Sequence, residues 1–321
     1  MTTPAPSRPR QSYRHEAFLW RGRAEYVSHL VPFVLEGLDA GETVLIGVTP
    51  EHARWIGDEL GSRATEVQLV DLSQLARNPA RVIPALLELL DAYCAPGLPA
   101  RGIGEPDWPG RGPEEVREAQ LTEALLNLAV DPDLPFWLVC PYDVEHVDPA
   151  LLDDAGRSHP VLATTTSYVG SGTYRGRDHA RALFGAELAD LGEPGFDLRV
   201  TSRALDLAAE QVTLRATAGD LYSDQVLLLN DVVRGLVAES VRRAEGEARL
   251  RWWDAPDEVV CEVSDRSVVD DLLIGRRPPV GPRHDPVWLA HQVCDLVEVR
   301  SNDLGTTVRL HLSAQPRGTA G

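Results

Sequence analysis

Glu262-Val263-Ser264-Asp265-Arg266-Ser267-Val268-Val269-Asp270-Asp271 opens the stretch that decides the fold of the C-terminal half. It continues through Gly275-Arg276-Arg277-Pro278-Pro279 and the run Trp288 to Ser301 (W-L-A-H-Q-V-C-D-L-V-E-V-R-S), and closes on Gly305-Thr306-Thr307-Val308-Arg309-Leu310. Residues 258–263 read as a strand, 287–296 as a helix, and 297–300 and 306–312 as two further strands joined by Ser301-Asn302-Asp303-Leu304-Gly305. Upstream, residues 196–200 and 248–253 suit strands, the latter joined to 258–263 by the turn Asp254-Ala255-Pro256-Asp257. Helical spacing covers 202–216 and 223–243, where Ser223 and Asp224 supply an N-cap signal. Helices beside a mostly antiparallel sheet make an α/β sandwich.

In order and spacing, residues from roughly Phe196 to Leu312 resemble the GHKL fold of histidine kinases and anti-sigma factor kinases. The resemblance implies an adenine-reading carboxylate at Asp265, a loop glycine at Gly275 and a terminal Gly-Thr-Thr at Gly305, Thr306 and Thr307. It also exposes departures. The Glu and magnesium-binding Asn of active relatives fall on Gly235 and Glu239, the glycine after the Asp on Ser267, and the Gly-x-Gly on His284-Asp285-Pro286. Glycine tolerates the positive φ and close backbone approach that a phosphate loop needs. Pro286 removes an amide donor, and Asp285 adds negative charge where phosphates would sit. The carboxylate of Glu239 suits a hard cation such as magnesium. The expectation is a degenerate scaffold: Mg-ATP is the only cofactor weighed, with adenine-side binding through Asp265 favoured over turnover, and no catalytic residue is assigned.

Composition narrows the classes. The chain has 321 residues, 43% hydrophobic and 25% charged, enough for two ordinary domains. It contains no lysine, which excludes a Schiff-base lysine and a P-loop lysine. A net charge of −18 argues against direct nucleic-acid binding. Cys94, Cys140, Cys261 and Cys294 stand far apart without a C-x-x-C pair, so no metal site is assigned, and Cys140, Cys261 and Cys294 read as small core residues. No apolar run approaches the ~18 residues of a membrane span. Residues 1–11 are expected to be a disordered leader and 314–321 a disordered tail, in a cytoplasmic protein.

In residues 12–163 apolar strands at 43–48, 67–70 and 136–140 alternate with helices at 51–60, from Asn78-Pro79 onward, and at 114–128. That alternation implies an open, mostly parallel sheet, whose ligands gather at the carboxyl ends of the strands. Candidates there are Glu105 and Trp108 in the Gly/Pro loop 101–110, Tyr142 and Asp143 after the 136–140 strand, and Glu123 with Asn127 one helical turn apart. The plainer alternative leaves Gly and Pro shaping turns, Trp108 capping the core and Asp143 ending a strand.

The ordered series His15-Glu16, Pro32-Phe33, Glu36-Gly37, Gly41-Glu42, Arg77-Asn78-Pro79, residues 101–110, Glu123 to Asn127 and Cys140-Pro141-Tyr142-Asp143 resembles the MEDS sensory domain, the likeness ending near Ser158-His159-Pro160. This family is named from methanogen and methylotroph regulators. The resemblance implies a RecA-like α/β sensory fold without a Walker lysine, responding to a small-molecule signal. Residues 164–195 read as a linker, with a short helix at 180–191, and 196–313 as the GHKL-like domain.

The expected protein is therefore a MEDS-like sensor controlling an anti-sigma-type unit. That unit would act in transcription regulation by binding a sigma factor or an anti-sigma antagonist. The alternative is an active ATP-dependent serine kinase of the anti-sigma class, and a third reading is a small-molecule sensor or enzyme in the first domain alone.

Overall fold

Apolar runs buried on both faces build the first of two sheets. The computed structural model describes residues 12–71, 78–93, 98–106, 110–255, 257–281 and 285–314. Contacts divide the chain into two units, residues 1–76 with 85–180, and residues 77–84 with 181–321. No helix among the described residues is long and apolar enough to cross a membrane. The leader 1–11 and nearly all of the tail, 315–321, lie outside the described residues.

In the first unit β1 (Arg14–Trp20), β2 (Thr43–Gly47), β3 (Gln68–Leu69), β4 (Ala100–Gly104), β5 (Phe136–Asp143), β6 (Val161–Ala163) and β7 (Tyr168–Gly170) lie in the order β3-β2-β4-β5-β1-β6-β7. Every pairing is parallel except that of β6 with β7. In chain order the helices are α1 (Gly22–Asp39), α2 (Pro50–Leu60), α3 (Val82–Tyr93), α4 (Pro113–Ala129), α5 (Pro149–Ser158) and α6 (Arg177–Phe184). A parallel sheet is covered on both faces, which is why β2 and β5 are continuous apolar runs. Phe18, Tyr26, Leu30, Ile46, Ile56 and Ile103 centre the core. Side-chain caps stop α2 and α5 from fraying: Thr49 accepts from the His52 amide, and Asp148 from the Ala150 amide.

Two expectations change. Residues 101–104 are not part of a loop but belong to β4, an inner strand between β2 and β5. Gly102 serves packing there, since a Cβ would meet Phe136 Cζ at 2.8 Å. The stretch 164–195 is only partly a connection. Thr164 to Ser167 turn a hairpin, with Thr164 Oγ1 accepting from the amides of Thr166 and Ser167, and deliver β7 onto β6. Three-residue strands carry too little alternation to stand out in a sequence. The helix expected at 180–191 is α6, displaced toward the N-terminus.

The second unit carries β8 (Phe196–Thr201), β9 (Glu247–Asp254), β10 (Glu258–Asp265), β11 (Leu296–Asn302) and β12 (Gly305–Ser313) in the order β11-β12-β10-β9-β8, antiparallel throughout. With α7 (Leu205–Ala218), α8 (Ser223–Arg243) and α9 (Pro286–Val293) it makes the expected α/β sandwich. Register sorts the two faces. Cys261 stands beside Trp252 and Leu310, and Val263 beside Leu250 and Val308, all buried. One residue out of phase, Glu262 stands between Arg251 and Arg309 and bonds both. The α8 N-cap is Tyr222 rather than Ser223 or Asp224, because Gln225 reaches back to accept its amide at 2.9 Å. Helix α9 stops at Val293, before the expected 296, because Cys294 turns extended and leads into β11. Its last carbonyls are capped by the 77–84 stretch: Arg81 donates to His291 O at 2.5 Å and Cys294 O at 2.9 Å, a cation suited to a helix C-terminus.

His311 extends the ion-paired face. Its Nδ1 meets Glu258 at 2.9 Å and its Nε2 meets Glu298 at 3.2 Å. Burial opposes charge on this imidazole, but the two carboxylates prevail and hold its pKa up to about 9. A pKa raised above the unfolded value of about 6.5 adds stability that is complete below about pH 6.5. That stability is lost as pH rises through about 9. Thermal melting of the second unit should accordingly fall by a few degrees across this window. His311→Gln should flatten that slope, and an unchanged slope would refute the assignment.

Candidate functional site

The first unit buries a polar cluster where an apolar core would be expected. His15 of β1, Glu123 of α4, Cys140 of β5 and His159, which follows α5, are all buried, with one potential ligand atom from each lying within 4.8 Å of the others. Parallel pairing sets His15 opposite Leu138 and Ala17 opposite Cys140, which brings the imidazole and the thiol to 3.3 Å. The carboxylate of Glu123 comes from α4, and Asn127, one turn later, points the same way.

Hydrogen bonds around the cluster orient its members. Asn127 Nδ2 donates to Ser158 O at 2.7 Å, which turns Asn127 Oδ1 toward His15 Nδ1 at 3.3 Å. His159 Nδ1 donates to Ala155 O at 2.9 Å. Both imidazoles thus carry their proton on Nδ1 and aim Nε2 inward. There Glu123 Oε2 lies 3.5 Å from His15 Nε2 and 3.3 Å from His159 Nε2. Neither Glu123 Oε2 nor His159 Nε2 has a hydrogen bond of normal geometry among the described residues.

The electrostatics follow from burial and mutual field. Burial, then His159, lowers the His15 pKa and favours its neutral form. Burial opposes ionisation of Glu123, and its carboxyl falls below the carboxylate range only where an imidazole carries a proton toward it. Burial pushes the Cys140 thiol up, with Glu123 adding to the effect. A cavity of about 30 Å³, room for about one water-sized molecule, borders Glu123, Tyr142 and Ser158.

Of the expected pocket residues, Glu123, Asn127 and Tyr142 come together; the Tyr142 ring lies edge-on to His159 at 5.7 Å. Glu105 and Asp143 stand apart. Glu105 accepts from the Thr49 amide at 2.7 Å and pairs with His52, tying the β2–α2 turn to the end of β4. Asp143 folds onto its own turn, accepting from Glu145 N and His146 Nδ1. Trp108 lies outside the described residues. The cluster sits beside the middle of β5 and the start of β1, not at the carboxyl edge of the sheet. His15, Cys140 and His159 were missed as site residues. His15 and Cys140 stood in the MEDS-like motifs and His159 at their end, but nothing in the sequence marked the three as neighbours.

In the second unit the residues matched to a nucleotide site are engaged by their own chain. Asp265 accepts from Arg243 at 2.5 Å and from the Ser267 amide at 2.8 Å, and its side chain is fully buried. Thr306 Oγ1 donates to Ser267 O at 2.7 Å, and Thr307, one residue on, faces the opposite side of the sheet. Gly275, at φ +68°, packs on Val287, where a Cβ would come within 2.3 Å. Gly235 faces Pro286 at 2.9 Å by the same measure. Glu239 pairs with Arg242 at 2.9 Å. Asp285 caps α9, taking the Val287 and Trp288 amides. His284 lies outside the described residues. A groove of about 870 Å³ runs over the ion-paired face of the sheet, lined by Arg249, Arg251, Glu262, Thr307 and Arg309.

Residues 14–160 match the family model MEDS, the methanogen/methylotroph, DcmR sensory domain. The match runs from β1 to just past α5 and takes in all four cluster residues. A search of the curated proteins finds no match. The first unit thus carries a sensory domain of this type, as befits a signalling regulator.

Proposed function

We propose that this sensory unit controls an anti-sigma-type, histidine kinase-like unit that binds a protein partner and does not turn over ATP. The observation that carries the reading is the engagement of Asp265: Arg243 and Ser267 occupy the carboxylate that an adenine amino group would need. Freeing it would leave Arg243 without its carboxylate partner and break a buried ion pair, a cost of about 3–5 kcal/mol that nucleotide binding would have to offset. The capping role of Asp285 supports the same reading, since amides held by a carboxylate are not offered to a phosphate. Partner binding needs only a folded surface, so it survives the loss of a phosphate loop. The partner class is a sigma factor or an anti-sigma antagonist.

Calorimetric titration of the full chain with Mg-ATP should give no saturable binding, and Asp265→Ala should not change that. Saturable binding lost in Asp265→Ala, with phosphate transfer to a serine of an antagonist, would instead establish the active serine kinase. Pairwise binding to purified sigma factors and antagonists from the same genome should yield one stable complex. If none of them binds, the anti-sigma assignment fails.

A further inference from the structure

We infer that His15, Glu123, Cys140 and His159 form a binding site for a divalent transition-metal cation of the zinc class, buried inside the sensory unit. The inference goes beyond the partner-binding reading and does not rest on it.

Three features of the cluster point to a cation. First, the lone pairs converge. Both imidazoles spend their Nδ1 protons outward, on Asn127 and on the Ala155 carbonyl, so both Nε2 atoms face Glu123 Oε2 with no proton of their own between them. The Cys140 thiol can give its proton to His15 Nε2, which leaves His159 Nε2 and Glu123 Oε2 facing each other at 3.3 Å. Among the described residues Glu123 Oε2, buried in that position, has no hydrogen bond of normal geometry to offset its desolvation.

Second, three of the six separations match those of ligands around one ion, and the whole set lies within 4.8 Å. With metal–nitrogen and metal–oxygen bonds near 2.0–2.1 Å and metal–sulfur near 2.3 Å, tetrahedral ligands lie ~3.3–3.6 Å apart. The contacts His159–Glu123, His15–Glu123 and His15–Cys140 measure 3.3, 3.5 and 3.3 Å. Charge-assisted hydrogen bonds would draw the imidazole nitrogens and the carboxylate oxygen to about 2.7–2.9 Å.

Third, the donors suit the cation. A thiolate and a carboxylate balance a divalent ion, so the filled centre is neutral in a buried place. One sulfur, two imidazole nitrogens and one carboxylate oxygen select a borderline ion such as Zn²⁺ over Mg²⁺ or Ca²⁺, which take oxygen ligands. The outward bonds of the two Nδ1 atoms are the orienting contacts that metal-bound imidazoles usually make. On binding, Cys140 Sγ loses its proton to solvent as the metal–sulfur bond forms, and no electron is transferred.

The test uses the purified full chain, stripped with a chelator and titrated with Co²⁺ and then Zn²⁺. One equivalent of Co²⁺ should bring up the visible bands of a tetrahedral centre together with a thiolate-to-cobalt charge-transfer band, and Zn²⁺ should displace both. Cys140→Ser should remove the charge-transfer band, whereas Asn127→Ala should keep it while weakening affinity by about 10- to 100-fold. Circular dichroism on each variant establishes that it is folded. A folded wild-type chain with no saturable Co²⁺ or Zn²⁺ binding overturns the proposal. So does a charge-transfer band unchanged in Cys140→Ser, because the thiolate would then come from another cysteine. Neither result bears on Mg-ATP or partner binding by the second unit.

Discussion

Gly305→Ala is expected to destabilise the second unit by more than about 4 kcal/mol, a large share of the stability of an ordinary domain. Gly305 sits at φ +131°, where an L side chain is strained by about 1–3 kcal/mol. Steric overlap costs more than this strain. A Cβ at this position would stand 1.9 Å from the Asp265 carbonyl oxygen, and 2.9 Å from the Asp265 carbonyl carbon and from Arg266 Cα. These are backbone atoms, held by the pairing of Asp265 with Thr306 at the end of β10 and β12, so no side chain can swing away. Gly192→Ala is the control, because φ there is also positive, +72°, but nothing lies within 4 Å of the added Cβ. It should cost only about 1–2 kcal/mol. Urea unfolding of both variants reads the difference directly, and equal losses would refute the account. The result also bears on function. The Gly-Thr-Thr end that resembles a nucleotide-site motif is held by backbone packing here, whether or not a nucleotide is present.

Arg101→Ala should have the largest effect in the first unit, about 3–5 kcal/mol, because it strips a buried carboxylate of its cation. Arg101 is only 4% exposed although it lies on an inner strand. Its Nε and Nη2 bond Glu42, and its Nη1 donates to Phe33 O at 2.7 Å. The guanidinium lies over Phe33 and Trp137, 5.0 and 5.5 Å from the ring centres. Lysine cannot reproduce a planar fork that bonds a carboxylate and a carbonyl together, so Arg101→Lys should recover only part of the loss. Urea unfolding followed by far-ultraviolet circular dichroism would measure both variants. A loss below about 1 kcal/mol for Arg101→Ala would show that Glu42 finds solvent or another partner.

Much of the second unit could be read in advance. Strands β9 to β12 and helix α8 carry long apolar periodicities, and their ends fall near Pro, Gly and Asp turns. The same logic found β2, β5 and α4. It missed β1, because the His15-Glu16 pair interrupts its apolar run, and it placed 101–104 in a loop because Gly102 and Gly104 imitate a turn. The error at β4 has a physical source. A glycine required by Phe136 on the neighbouring strand is indistinguishable, in one dimension, from a glycine required by a positive φ.

The site divides in the same way. Helical spacing alone placed Glu123 and Asn127 on one face, since an interval of four residues is a local quantity. That Glu123 meets His15, Cys140 and His159 depends on the pairing of β1 with β5 and on where α5 ends, both set by packing between distant segments. Likewise, the departures from a phosphate loop were visible in Ser267, Asp285 and Pro286, but Arg243's hold on Asp265 was not. By itself the sequence determined the two α/β units, most of their elements and the absence of a lysine-based mechanism, because periodicity and composition are local properties. Only the tertiary structure decided which buried charges face one another, because a charge's partner is set by the folded path of the chain and not by its neighbours along it.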